Sequence, residues 1–236
     1  MIDQNDLVCS SDGQEVLAFI VSCAIKEGET LSATGIRDFC GITDPADETP
    51  DTFEAFGELG LANQWLHKPL SDAGAGWVSA CLFARVNASS VPIPVSLRGP
   101  NPRLKASDEE REGWPLEEGA FYGNYFGATL EGHPDLPDWH ACRGRDQAAG
   151  ETAGLIERDC AEPDPMNPGF TMCGFAYAGE CGDFEVNTDW ACKDFSENRT
   201  FYRRCSASDV FDGHKDNKVK KKTLYHQVIT AYVLGS

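Results

Sequence analysis

Ten cysteines constrain this chain more than any other feature. They stand at Cys9, Cys23, Cys40, Cys81, Cys142, Cys160, Cys173, Cys181, Cys192 and Cys205, and no pair is separated by two residues. The C-x-x-C knuckles of zinc, iron–sulfur and thioredoxin sites are therefore absent, as is C-x-x-C-H for haem attachment. An even set of widely spaced cysteines predicts a disulfide framework and an oxidising location: extracellular, cell-surface or periplasmic. Connectivity is not readable from one sequence. Each closed loop of fifteen or so residues stabilises a fold by roughly 3 kcal/mol in the chain-entropy model.

The chain has 236 residues and a formal charge of -18, from 38 acidic and 20 basic residues. Such a surface repels phosphate backbones and anionic lipids, which argues against a nucleic-acid partner. It suits a protein of a salty medium, or one that binds cations. Hydrophobic residues are 41% of the total, enough for a proper core. The longest apolar runs, "VLAFIVSCAI" and "WVSACLFARV", are about half the ~20 residues of a membrane span, so no transmembrane segment is expected. The start, "MIDQNDLVCSSDGQ", has neither a basic n-region nor an apolar h-region. The expectation is that a signal peptide has been removed and that Met1 is an added residue.

Along the chain, "SSDGQEVLAFIVSCAIKEG" predicts a nearly all-apolar helix, with Ser10, Ser11 and Asp12 as candidate N-caps and Gly28 as the stop. "TLSATGI" reads as a short strand, and residues 41–72 as loop. A second buried helix covers "WVSACLFARVN". In "VPIPVSLRG" the alternation of Val91, Ile93, Val95 and Leu97 reads as a strand, and Pro92 and Pro94 confine it to a sheet edge. "KKKTLYHQVITAYVL" reads as a strand that returns to the sheet of the first half. From about residue 140 cysteines arrive every 8 to 18 residues amid Gly, Pro, Asp and Asn, so disulfides must do much of the work of a core. The expected fold class is α+β, a mixed helix and sheet core with a disulfide-rich, loop-rich second half. Its expected parts are a core over 1–139, a disulfide-rich module or insertion over 140–215, and a C-terminal strand within 216–236.

Ser79-Ala80-Cys81 invites a search for a nucleophile. A reactive cysteine needs a helix N-terminus and a neighbouring base. Cys81 lies about a turn inside its helix with no histidine nearby in sequence. Two core helices, each with an inward cysteine, predict a Cys23–Cys81 staple instead.

No G-x-S-x-G, H-E-x-x-H, Walker A or G-x-G-x-x-G motif occurs. Of the histidines, His67, His133, His140, His214 and His226, none is three or four residues from another, so no single helix presents a two-histidine metal site. The acid pair Glu117-Glu118 lies in "EEGAFYGNYFG", beside Tyr122 and Asn124. Such a string either forms a binding shelf or packs its aromatics into the core. Glu118, Tyr122 and Asn124 are the candidate catalytic residues of a saccharide-cleaving groove. Calcium is the candidate cofactor, on Asp209, Asp212 and Asp216 of "DVFDGHKDN", whose hard oxygen ligands suit that ion although the spacing is not that of an EF-hand. "DPADETPDTFE" is a looser acidic run.

The strings "CAIKEG", "GELGLANQW", "WVSACLFARVN", "VSLRG" and "EGAFYGN", followed by cysteines with interspersed glycines, carry a resemblance. Together they are similar to a group of uncharacterised exported or lipoprotein-like proteins of myxobacteria and related bacteria, over about residues 15–205. The resemblance implies an exported location and a shared fold, and it brings no catalytic residue with it. The lipobox cysteine of lipidated members is missing here.

The functional expectation is a secreted or cell-surface binding, adhesive, structural or filament protein, with a protein or glycan partner or with itself. The alternative is a secreted hydrolase of polysaccharide or cell-wall material that works through a carboxylate pair.

Overall fold

The computed structural model describes residues 7–88, 92–130, 133–146, 158, 160, 164–166, 170–182, 191–196, 198, 200–206 and 224–234. The chain is α+β and divides into two units, Met1–Val78 and Ser79–Ser236.

The first unit is built on α1 (Ser11–Ala24). Ser10 is its N-cap: the side-chain oxygen accepts from the Gly13 N–H at 3.1 Å. At the other end a helix leaves its last carbonyls without intrahelical partners. Here "GELGLA" supplies them. The amides of Leu59, Leu61 and Ala62 donate to the carbonyls of Ser22, Cys23 and Ala24 at 3.0, 3.1 and 2.9 Å, and Gly60 donates to Ile25 at 2.9 Å. So close an approach of two backbones leaves no room for a side chain. A Cβ on Gly57 would stand 2.4 Å from the Lys26 carbonyl oxygen, and Gly60 holds φ +68° with its missing Cβ 2.8 Å from that of Lys26.

Strands β1 (Thr30–Thr34) and β2 (Thr52–Phe56) form an antiparallel pair, with the short helix α2 (Ile36–Phe39) between them. β2 alternates exposed and buried residues, with Phe53 and Ala55 inward. Sequence reading places this segment in a loop, because Pro45, Pro50 and scattered glycines mask the alternation of "TFEAF". Cys9–Cys40 ties the start of the unit to the end of α2, with Cα atoms 5.6 Å apart.

α3 (Asp72–Phe83) holds the opening of "WVSACLFARVN" and carries the boundary between the units. It stops at Phe83, short of the expected end. There the Arg158 guanidinium donates to the Ala84 carbonyl, and Ala88 N–H donates back to Arg158 O at 2.9 Å.

The second unit contains a five-stranded sheet in the order β3 (Ser96–Arg98), β10 (Ile229–Val233), β4 (Leu116–Leu130), β5 (His133–Arg143), β6 (Ala176–Glu180). Neighbours are antiparallel except β5 and β6, which are parallel. β3 is an edge strand of three residues, and the prolines before it lie outside the ladder. β10 is central, and all five of its residues are buried. A second sheet, β7 (Cys192–Phe195), β8 (Tyr202–Ser206) and β9 (Leu224–Tyr225), is antiparallel. One face of the larger sheet packs with it: Ala120, Tyr122 and Cys142 share a core cluster with Tyr202, Cys192 and Cys205. The other face carries an aromatic cluster, with Phe83 stacked on Trp139 at 4.7 Å and Phe121 edge-on to Phe175 at 5.6 Å.

Disulfides join Cys142–Cys181, Cys160–Cys173 and Cys192–Cys205. Cys23 and Cys81 are disulfide-bonded as well, and no cysteine among the described residues is free.

Candidate functional site in the β4–β5 sheet

The "EGAFYGN" string is the buried half of β4, not an exposed shelf. Phe121 and Tyr122 are fully buried. Its glycines serve the approach of β5: a Cβ on Gly119 would lie 2.4 Å from the Cys142 carbonyl oxygen, and one on Gly123 would lie 2.0 Å from that of Asp138. Of the two readings open for this stretch, packing into the core is the one observed.

A bulge follows Glu117, where the register with β10 shifts between Ala231 and Tyr232. Consecutive strand residues face opposite sides of a sheet, and the extra residue decides which glutamate takes which side. Glu117 faces the smaller sheet: its Oε1 accepts from the Tyr202 hydroxyl at 2.9 Å, and Arg145 lies 3.1 Å from Oε2. Glu118 faces the aromatic side, where it pairs with Arg158, whose guanidinium sits 5.4 Å over the Phe121 ring. Both glutamates are buried. Burial pushes the Glu117 carboxyl above its ordinary range, although Tyr202 and the part-exposed Arg145 pull the other way. Desolvation likewise raises Tyr202 and Tyr232, with the nearby Glu117 charge adding to it.

Glu117 and Glu118 do not line one groove together. Two carboxyls that act on one glycosidic bond must face the same substrate. Glu117 and Glu118 face opposite ways, and Glu118 is held in a buried ion pair.

Tyr122 and Asn124 come together with residues that sequence reading did not single out as a group. On β5, Asp138 stands opposite Asn124 and His140 opposite Tyr122. Asp138 Oδ1 is 2.7 Å from His140 Nε2, and the Tyr225 hydroxyl donates to both Asp138 oxygens at 2.8 Å. Tyr225 Oη is 3.5 Å from His140 Nε2, and the Tyr122 ring stacks on the imidazole with centroids 5.3 Å apart. Tyr122 turns its own hydroxyl away, to the Ser206 carbonyl at 3.2 Å. Desolvation, then the Asp138 charge, pushes the phenols of Tyr122 and Tyr225 up. One signal was present in the sequence: Asp138-Trp139-His140 places an acid and a histidine two apart, on one face of any strand. A search for helical histidine spacing passes over it.

The remaining candidates have plainer roles. Ser79 is fully buried and accepts from the Tyr125 N–H at 2.9 Å, while Cys81 is oxidised, so the Ser-Ala-Cys stretch presents no nucleophile. The looser acidic run is organised by a cation of the chain itself. Arg37 donates to the carbonyls of Asp44, Asp47 and Thr49 at 2.6, 2.7 and 3.1 Å, while the Asp44 and Asp47 carboxylates cap their own turns. Those carbonyls are thus bonded to a guanidinium rather than left for calcium. The calcium candidates Asp209, Asp212 and Asp216 lie outside the described residues. Cys142, Cys181 and Cys192 bring their sulfurs within 4.8 Å of one another, but all three are in disulfides.

No known protein family, curated protein or solved structure matches the chain. No helix among the described residues is long and apolar enough to cross a membrane.

Proposed function

We propose that the protein is an exported, disulfide-stapled binding protein of the cell surface or its surroundings, and that the first unit supplies the contact surface. The observation that carries this reading is a set of large apolar side chains turned to solvent: Phe39 at 71% exposure, Phe56 at 65% and Phe19 at 57%. Exposed aromatics on a stapled scaffold supply rigid contact area at small entropic cost, for an apolar protein surface or the face of a sugar ring. Phe19 and Phe56 sit on α1 and β2, elements that pack together. The oxidised cysteines support an exported location. The hydrolase alternative gains no support from Glu118, whose carboxylate is paired with Arg158 away from solvent.

The test is a triple variant, Phe19→Ser with Phe39→Ser and Phe56→Ser. Sedimentation velocity would measure self-association, and a solid-phase assay would measure retention on purified cell-surface protein and polysaccharide. The expected outcome is binding by the wild type, weakened tenfold or more in the variant, with thermal stability unchanged. Equal behaviour of the two proteins, or cleavage of the polysaccharide by the wild type, would contradict the reading.

A further inference from the structure

The second unit holds a constellation that the surface reading does not use. Asp138 Oδ1, His140 Nε2 and Tyr225 Oη form a triangle with edges of 2.7, 2.8 and 3.5 Å. Their three side chains come from two strands, β5 and β9, of different sheets. We infer that this triangle is a facial binding site for a transition-metal ion, with ferric iron as its best match.

Metal–ligand distances of about 2.0–2.2 Å place neighbouring ligands of an octahedral or tetrahedral ion roughly 3.0–3.5 Å apart. The observed edges lie at or just inside that range, so a few tenths of an ångström of expansion admits the ion. The donor set is one imidazole, one carboxylate and one phenol. As a neutral imidazole and two anions it balances two of the charges of Fe(III), and hard oxygen donors favour that ion over softer ones.

The surroundings fit the same purpose. Tyr122 stacks on the imidazole from the neighbouring strand and is itself fixed by Ser206, which restricts the ring to one orientation. The Asp138 side chain is 11% exposed and that of His140 4%, while Tyr225 is half-buried, so the triangle lies near the surface with the imidazole as its most buried member. A chain of charge -18 draws cations toward it.

Proton accounting is simple. Without metal, the Tyr225 hydroxyl proton is held by Asp138. On binding, the phenol becomes phenolate and one proton leaves to solvent, while the neutral imidazole moves its proton from Nε2, where Asp138 accepts it, to Nδ1 and so frees Nε2 for the ion. Uptake therefore releases one proton per ion and grows with pH.

The experiment uses the intact, disulfide-bonded chain titrated with ferric nitrilotriacetate and read by visible absorption, since iron-bound phenolate is coloured. The expected result is a saturable band at about one ion per chain. Tyr225→Phe should abolish the colour, Asp138→Asn should weaken uptake tenfold or more, and Tyr232→Phe should behave as the wild type. No saturable band in the wild type, or an undiminished band in Tyr225→Phe, would overturn the site and leave a network held by protons alone. Should Tyr225→Phe fail to fold, resonance Raman of the wild type decides. Phenolate ring modes under the band support the site, and their absence overturns it.

Discussion

Glu118 and Arg158 form an ion pair in which each side chain is only 2% exposed. Arg158 also bonds the carbonyl just beyond α3, so one guanidinium joins the helix end to the centre of the sheet. Removing one partner of such a pair strands the other charge in the interior and costs ~3–5 kcal/mol. Glu118→Leu and Arg158→Met should each lower the unfolding free energy by that much. The double variant should recover at least half of the loss. Urea melts check this, and a double variant as weak as the sum of the singles would refute it.

Glu117 should behave in the opposite way. Its folded pKa is raised above the unfolded value by burial, so the native state holds the proton more tightly. Stability from this group is therefore greatest below the usual carboxylate range and declines as pH rises through the raised value. Glu117→Gln removes the penalty and keeps an oxygen to accept from Tyr202. At neutral pH the variant should match or exceed the wild type by up to about 1 kcal/mol, or ~2–4 °C. The difference should vanish in acid. Melting curves across pH would show it, and a variant less stable at neutral pH than in acid, relative to wild type, would count against it.

The glycines of β4 make a third prediction. Gly123 holds φ +135°, and its Cβ would meet the Asp138 carbonyl oxygen at 2.0 Å. Gly123→Ala should cost at least ~2 kcal/mol or prevent folding, whereas Gly127→Ala, with open space around its Cβ, should be nearly neutral. Comparing the two by thermal melts isolates the close approach from any general loss of chain flexibility.

Local features of the fold are legible in the sequence. The Ser10 cap and the helix that follows it rest on neighbouring residues and are observed, whereas "VPIPVSLRG" gives a strand only at Ser96–Arg98 and the C-terminal run is split between Leu224–Tyr225 of the smaller sheet and Ile229–Val233 of the larger. The disulfide-rich character follows from the cysteines, and the α+β class from the apolar helix runs and alternating segments beside them. What escaped was non-local. "EGAFYGN" reads equally as a binding shelf or as core packing, because glycine is rare in strands, yet its glycines are what the β5 backbone demands. Arg158 and Glu118 are 40 residues apart, and Tyr225 and Asp138 are 87. No spacing rule links such pairs; only the register of the sheets does. Glu118 was singled out for its aromatic neighbours, but the bulge that turns it toward Arg158 has no signature in the sequence.

The cysteines form a closed covalent frame rather than a set of reactive groups. Alkylation of the denatured, unreduced chain followed by mass spectrometry tests that directly, with peptide mapping of the Cys142–Cys181 and Cys192–Cys205 links. The predicted result is no alkylated cysteine and a uniform gain of label on all ten after reduction. Two or more labelled thiols before reduction, Cys81 among them, would contradict the frame and reopen the search for a cysteine nucleophile.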